Sequence, residues 1–237
     1  MKEHVQFIDL GGQRAYKEIW DLQEDMLQQK VKIKGAIARQ EENTFGNVPL
    51  HHLFFVEHNP VYTLGKSGAI SNVLISAEER EEKGIEFFKI NRGGDITFHG
   101  PGQLVGYPII DLEKFKTDLG WYLRSLEEVI IRTMADYNLK GERSAGETGV
   151  WMDATIPGSE RKICAMGIRS SRWITMHGWA FNVNTDLNYF NNIIPCGIEN
   201  KQVTSLQKEL GKQLDMEEVK AKVLQNFKNV FNVELIR

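Results

Sequence analysis

The chain has 237 residues, 41% hydrophobic and 26% charged, with a formal net charge of −3. This is ordinary globular composition with enough length for a substantial core, which argues against disorder. Such a balance leaves no footprint for nucleic acid, and an acidic partner has to meet a local basic patch.

The opening residues, MKEHVQFIDLGGQ, lack the apolar core and cleavage site of an export signal. They are followed by AYKEIWDLQEDMLQQK, where Tyr16, Ile19, Trp20, Met26 and Leu27 recur at helical spacing. HHLFFVEHNPVYTLG is aromatic and β-branched and predicts a strand running into a turn at Asn59–Pro60. His51 and His52 are adjacent on that strand, point to opposite faces, and so cannot chelate one metal together. IEFFKI and LVGYPII predict strands on either side of RGGDITFHGPGQ, which packs four glycines into twelve residues. A helix follows, capped by Thr117 or Asp118, with Leu119, Leu123, Leu126, Ile130, Met134 and Tyr137 on one face. GVWMD, KICAMGI and WITMHGWAFNVN predict three strands. Asp215 with Glu218 predicts a capping box opening a helix that buries Val219, Val223, Leu224, Phe227 and Phe231. Strands cluster between helices without a βαβ rhythm, so the expected fold class is α/β (α+β). A single domain over residues 1–237 is expected, with a mixed sheet flanked by helices and a helical C-terminal segment from about 204. No stretch approaches the roughly 18 apolar residues of a membrane span.

Several motifs fail. YTLGKSG has Pro60 where a phosphate-binding loop needs glycine, and HGPGQLVG carries its third glycine, Gly106, one place late for a dinucleotide fingerprint. No zinc pattern is present. Without an export signal, Cys164 and Cys196 are expected as free thiols. Cys164 shares strand parity with Met166 and Ile168 and reads as a small buried hydrophobe. Cys196, between Pro195 and Gly197, sits on a turn that either projects the thiol into a cleft or leaves it as a buried or merely exposed cysteine. Lys162 has the parity of Cys164, so its ammonium either snorkels out or is held inside, where a neighbouring thiol would gain nucleophilicity from it. A Cys/Lys pair is a coherent acyl-transfer dyad.

RGGDITFHGPGQ, KICAMGI, MHGWAFNVN and PCG, in this order, resemble the bacterial lipoyl/octanoyl transferases from about VYTLGKSG to PCG. The resemblance implies the mixed-sheet fold shared with lipoate and biotin protein ligases, and no metal or cofactor. It implies transfer of octanoyl or lipoyl from octanoyl-acyl carrier protein to a lysine of lipoyl domains, those of 2-oxoacid dehydrogenase complexes and the glycine cleavage H protein. Nucleic acid and membrane are not expected partners, and a cytoplasmic monomer is expected. Cys196 matches the family's thioester-forming cysteine and Lys162 its proton acceptor. The acyl-binding segments match Arg92, Gly93, Gly94, Asp95, Ile96, Thr97, Phe98 and His99, then Ala165, Met166 and Gly167, then Gly178, Trp179 and Ala180. Lys66 stands where members often have arginine, and residues 31–52 look looser than in many members.

On this reading the glycines of RGGDITFHGPGQ clear space for an acyl chain, and their amides face the developing oxyanion. Arg92 orients a carbonyl, braces the loop or meets an acidic carrier. His99 positions the second substrate, locks the loop or takes part in acid/base chemistry, and Phe98 packs on the acyl chain or core. Arg92, Arg169 and Arg172 are candidates for a docking patch. ATP-dependent ligation, amidotransfer between lipoyl-bearing proteins and a catalytically silent acyl-binding module are the rival readings.

Overall fold

The computed structural model of the protein describes residues 2–39, 51–194 and 202–236. The chain opens with β1 (His4–Asp9), α1 (Tyr16–Ala38), β2 (His51–Val56), β3 (Val61–Leu64) and α2 (Ala77–Glu82). It continues through β4 (Glu86–Lys89), β5 (Ile96–His99), β6 (Gln103–Ile109), α3 (Leu119–Ala135) and β7 (Val150–Met152). The remainder is β8 (Arg161–Ser171), β9 (Ile174–Asn182), β10 (Gln202–Val203), α4 (Leu206–Leu210), α5 (Met216–Phe231) and β11 (Glu234–Ile236).

Among the described residues, the main sheet runs β10-β8-β9-β6-β2-β1-β11, with β7 also paired to β8. It is mixed, because β1 lies parallel to β2 and β11 while β2, β6, β9 and β8 are successively antiparallel. Both faces of its centre are covered, which explains why β2, β6 and β9 are buried throughout instead of alternating with polar residues. One face packs Leu53, Phe55, Leu104, Trp179 and Phe181 against Leu126 and Ile130 of α3 and Val223 and Phe227 of α5. The other packs Phe54, Val56, Val105 and Met176 against Ile19 and Leu27 of α1. The C-terminal helix therefore builds the main core, and β11 joins the sheet. A second sheet, β4-β3-β5, turns Tyr62, Leu64, Ile96 and Phe98 into its own cluster with Phe190 and Ile193.

The mixed sheet flanked by helices is as expected, with differences in detail. α1 continues to Ala38, past the predicted end at Lys30. Asp118 caps α3 by accepting from the Trp121 amide at 2.9 Å, but the buried face is turned. Tyr122, Val129 and Thr133 are buried, whereas Leu119 is 39% exposed and Tyr137 lies beyond the helix. Packing against α5 sets the phase of α3, and a stripe of leucines read alone does not reveal it. Asp215 accepts from the Glu217 amide instead of forming a box with Glu218, which pairs with Lys222. Residues 40–50 of the looser segment lie outside the described residues.

Candidate active site

A cavity opens between the two sheets. The small sheet contributes Ile96, Thr97 and His99, the main sheet Tyr107, Ala165 and Ala180, and α1 contributes Tyr16. Arg92, Gly94, Asp95, Met166, Gly167, Gly178 and Trp179 also line it, as do Lys162, Phe190 and Val203. Of the residues matched to the family, Gly93 and Phe98 stand behind this wall. Phe98 points to the opposite face of β5, where it stacks on Tyr189 at 4.4 Å, so it packs on the core.

The glycines of RGGDITFHGPGQ divide between the cavity and the packing of its wall. Among them only Gly94 lines the cavity. The Gly93 amide donates to Ile168 O at 2.9 Å, so it is committed to the wall and does not face a substrate oxygen. A Cβ on Gly167 would stand 2.7 Å from Gly93 O, and one on Gly65 would collide with Gly94 O. Gly102, at φ +77°, is pressed against Asn184. These residues let backbones of the two sheets approach one another.

Arg92 is buried, which removes it from the docking patch. Its guanidinium donates to Thr63 O at 2.8 Å, Thr63 Oγ1 at 3.0 Å and Gly93 O at 3.0 Å, bracing the loop. Arg169 also turns inward, pairing with Glu24 of α1 at 2.5 Å, and Arg172 is exposed.

The Thr63 hydroxyl accepts from Arg92 and so donates to His99 Nε2 at 3.3 Å. His99 Nδ1–H then donates to Gln103 Oε1 at 2.9 Å, and Gln103 Nε2 reaches Phe98 O and Asn182 Oδ1. Asn182 Nδ2 ends the chain on Thr204 O at 3.0 Å. Burial, with His58 and Arg92 nearby, holds His99 well below the ordinary histidine range, so it is neutral with both ring nitrogens engaged. The ring also stacks on Tyr16 at 5.8 Å.

Lys162 reaches the cavity because β8 is irregular. Trp151 of β7 pairs with Lys162 while Val150 pairs with Cys164, leaving Ile163 as an extra residue. Ile163 and Cys164 both enter the main core, and Lys162 is turned to the same side as Ala165. The shared face with Cys164 that strict alternation predicts is therefore absent. The Lys162 side chain is 11% exposed, with Nζ 4.5 Å above the Trp151 ring and 3.7 Å from Glu147 Oε2. Cys164 is fully buried, and burial pushes its thiol up, well away from thiolate.

Cys196 lies outside the described residues. On either side of its segment, Ile194 N donates to Asn72 O at 2.9 Å and Val203 pairs with Lys162. Among the described residues, no group of three or more His, Cys, Asp or Glu is arranged to hold a metal ion, and no helix is long and apolar enough to cross a membrane. His51 and His52 do diverge, His51 toward Glu3 and His52 onto Phe54.

Tyr16, Gln103, Tyr107, Glu147, His177 and Asn182 were not expected at the site from the sequence. Tyr16 looks like any apolar helix position. His177 carries a usable signal, a polar residue before glycine inside an apolar strand, and it adopts φ +60° there. Its Nε2–H donates to Asn91 Oδ1 at 3.2 Å, because the Asn91 amide nitrogen is spent on Glu24.

Residues 15–228 match the family described as lipoyl protein ligase A/B catalytic domain. An octanoyltransferase of Christiangramia forsetii is 55% identical over 237 residues, covering 99% of each chain. One of Flavobacterium psychrophilum is 54% identical over the full length of both. The bi-partite lipoate protein ligase of Thermoplasma acidophilum superposes with a TM-score of 0.67 at 16% identity, covering 100% of this chain and 86% of that one. The shared architecture extends from α1 to α5, and with it the chain belongs to the lipoyl protein ligase A/B catalytic domain family.

Proposed function

We propose that this protein is an acyltransferase that moves octanoyl from octanoyl-acyl carrier protein to a lysine of lipoyl domains, including those of 2-oxoacid dehydrogenase complexes and the glycine cleavage H protein. The Cys196 thiolate attacks the carrier thioester, forming an octanoyl-enzyme and releasing the carrier thiol. The target amine then attacks the acyl-enzyme while Lys162 accepts its proton. Thioester exchange is nearly isoenergetic and amide formation is downhill, so ATP is not required.

The observation that carries this reading is the placement of Lys162. The Lys162 ammonium is turned by the Ile163 bulge into a cavity where Ile96, Ala165, Ala180, Phe190 and Val203 supply apolar wall beside polar groups such as Arg92, Asp95 and His99. An apolar wall suits an alkyl chain, and a cation beside it suits a thiolate and a thioester carbonyl. The strand partner of Lys162, Val203, lies seven residues after Cys196 in the chain.

The test is intact-mass measurement after mixing the protein with octanoyl-acyl carrier protein, without ATP or acceptor. One octanoyl adduct is expected in wild type and Cys164→Ser, and none in Cys196→Ser. An adduct lost in Cys164→Ser would move the nucleophile. Activity seen only with free octanoate and ATP would replace the transferase with a ligase.

A further inference from the structure

Glu147 is fixed beside Lys162 by contacts that do not involve the lysine. The neighbouring Thr148 Oγ1 donates to Met166 O at 3.2 Å, and the Gly149 amide donates to Glu127 Oε1 at 3.1 Å. Glu127 is fully buried in α3 and held by Arg124 and Arg143. Gly149 lies at φ +107°, and a Cβ there would collide with Cys164 O, so residues 147–149 are clamped onto β8. The clamp leaves the Glu147 carboxylate 18% exposed and 3.7 Å from the Nζ of Lys162, which lines the cavity.

The two half-reactions make opposite electrostatic demands on that point. The first needs a thiolate, which a nearby carboxylate disfavours. The second must admit a lysine side chain that arrives as an ammonium, where Lys162 already provides an amine and must leave carrying a proton. One positive charge therefore enters with the acceptor and moves to Lys162, and an anion beside both nitrogens favours it at either place. We propose that Glu147 is a positioning residue for the second half-reaction, drawing the acceptor ammonium in beside the neutral Lys162 amine and offsetting the positive charge as it passes to Lys162. The inference rests on the roles given above to Cys196 and Lys162.

The proton count closes. The acceptor ammonium gives one proton to the neutral amine of Lys162. Its nitrogen then bonds to the thioester carbon, and the carbon–sulfur bond breaks. The second proton of the amine passes to the Cys196 sulfur. Lys162 leaves the step as an ammonium facing Glu147, and its proton goes to solvent before the next cycle.

The experiment measures the half-reactions separately in wild type, Glu147→Gln and Glu147→Asp. Acylation of Cys196 is followed by intact mass. The isolated octanoyl-enzyme is then given either a lipoyl domain or hydroxylamine, a nucleophile that is uncharged at neutral pH. In Glu147→Gln, acylation is expected to quicken about threefold and transfer to the lipoyl domain to fall about tenfold or more. Hydroxylamine cleavage is expected to change less than threefold, and Glu147→Asp to recover most of the loss. Equal slowing of both half-reactions, or equal losses with lipoyl domain and hydroxylamine, would reduce Glu147 to a structural prop. If wild type forms no octanoyl adduct on Cys196, the underlying reading falls and takes this one with it.

Discussion

A methyl group on Gly178 would collide with the Gly106 carbonyl oxygen and stand 2.7 Å from Pro108 Cδ. Both obstacles belong to the neighbouring strand, so neither can swing aside as a flexible side chain would. Gly178→Ala is expected to lower stability by about 2 kcal/mol, read as a reduced urea midpoint. His99 poses a different question. Its two nitrogens are spent on Thr63 and Gln103, and burial keeps it neutral, so it has no lone pair to take a proton from substrate. His99→Asn is expected to cost about 1–2 kcal/mol of stability through the broken chain of hydrogen bonds. The shape of the pH–rate profile is expected to survive. Loss of one limb of that profile would restore His99 as an acid or base. Arg92→Lys keeps the charge but loses the planar fork that holds Thr63 and Gly93 together. A fall in kcat/KM of about tenfold for the octanoyl donor is expected, and an unchanged value would show that charge alone suffices.

At the level of strands and helices, what was legible in the sequence was whatever depends on local chemistry. The apolar density of HHLFFV and WITMHGWAFN marks β2 and β9, and Asp118 marks the start of α3. The RGG and HGPGQ glycines mark a place of close approach, though the approach is between backbones. What stayed hidden depends on partners distant in the chain. The phase of α3 is set by α5, and the position of Tyr16 in the cavity wall follows from α1 lying across β6 and β9. Glu147 sits in a stretch with no periodicity, and contacts of the next two residues with Met166 and Glu127 hold it beside Lys162. The register slip between β7 and β8 leaves no mark in KICAMGI, which reads as a regular alternating strand.

For the molecule as a whole, buried neutral histidines make stability depend on pH. Burial is the largest cause in holding His52 and His58 at about 4 and His177 at about 3. An unfolded histidine titrates near 6.5, so below that pH the unfolded chain binds protons that the folded chain refuses. Their stabilising contribution is therefore complete above about 6.5 and is lost as pH falls toward 4, each site giving up to about 1.4 kcal/mol per pH unit. The urea midpoint is expected to drop between pH 7 and pH 5.5, and to drop less steeply in His58→Gln. A midpoint flat across that range would mean these sites titrate normally. The extra residue in β8 has a consequence of another kind. Lys162 faces the cavity because of how many residues separate it from Cys164, and no side chain of its own decides that. Deleting Ile163 would remove the bulge and set Lys162 directly before Cys164, and because neighbours on a regular strand face opposite sides, the ammonium would stay on the cavity side. A β8 straightened with Ile163 retained would instead carry Lys162 to the Cys164 face, so the enzyme depends on the bulge itself, with every proposed catalytic residue still encoded.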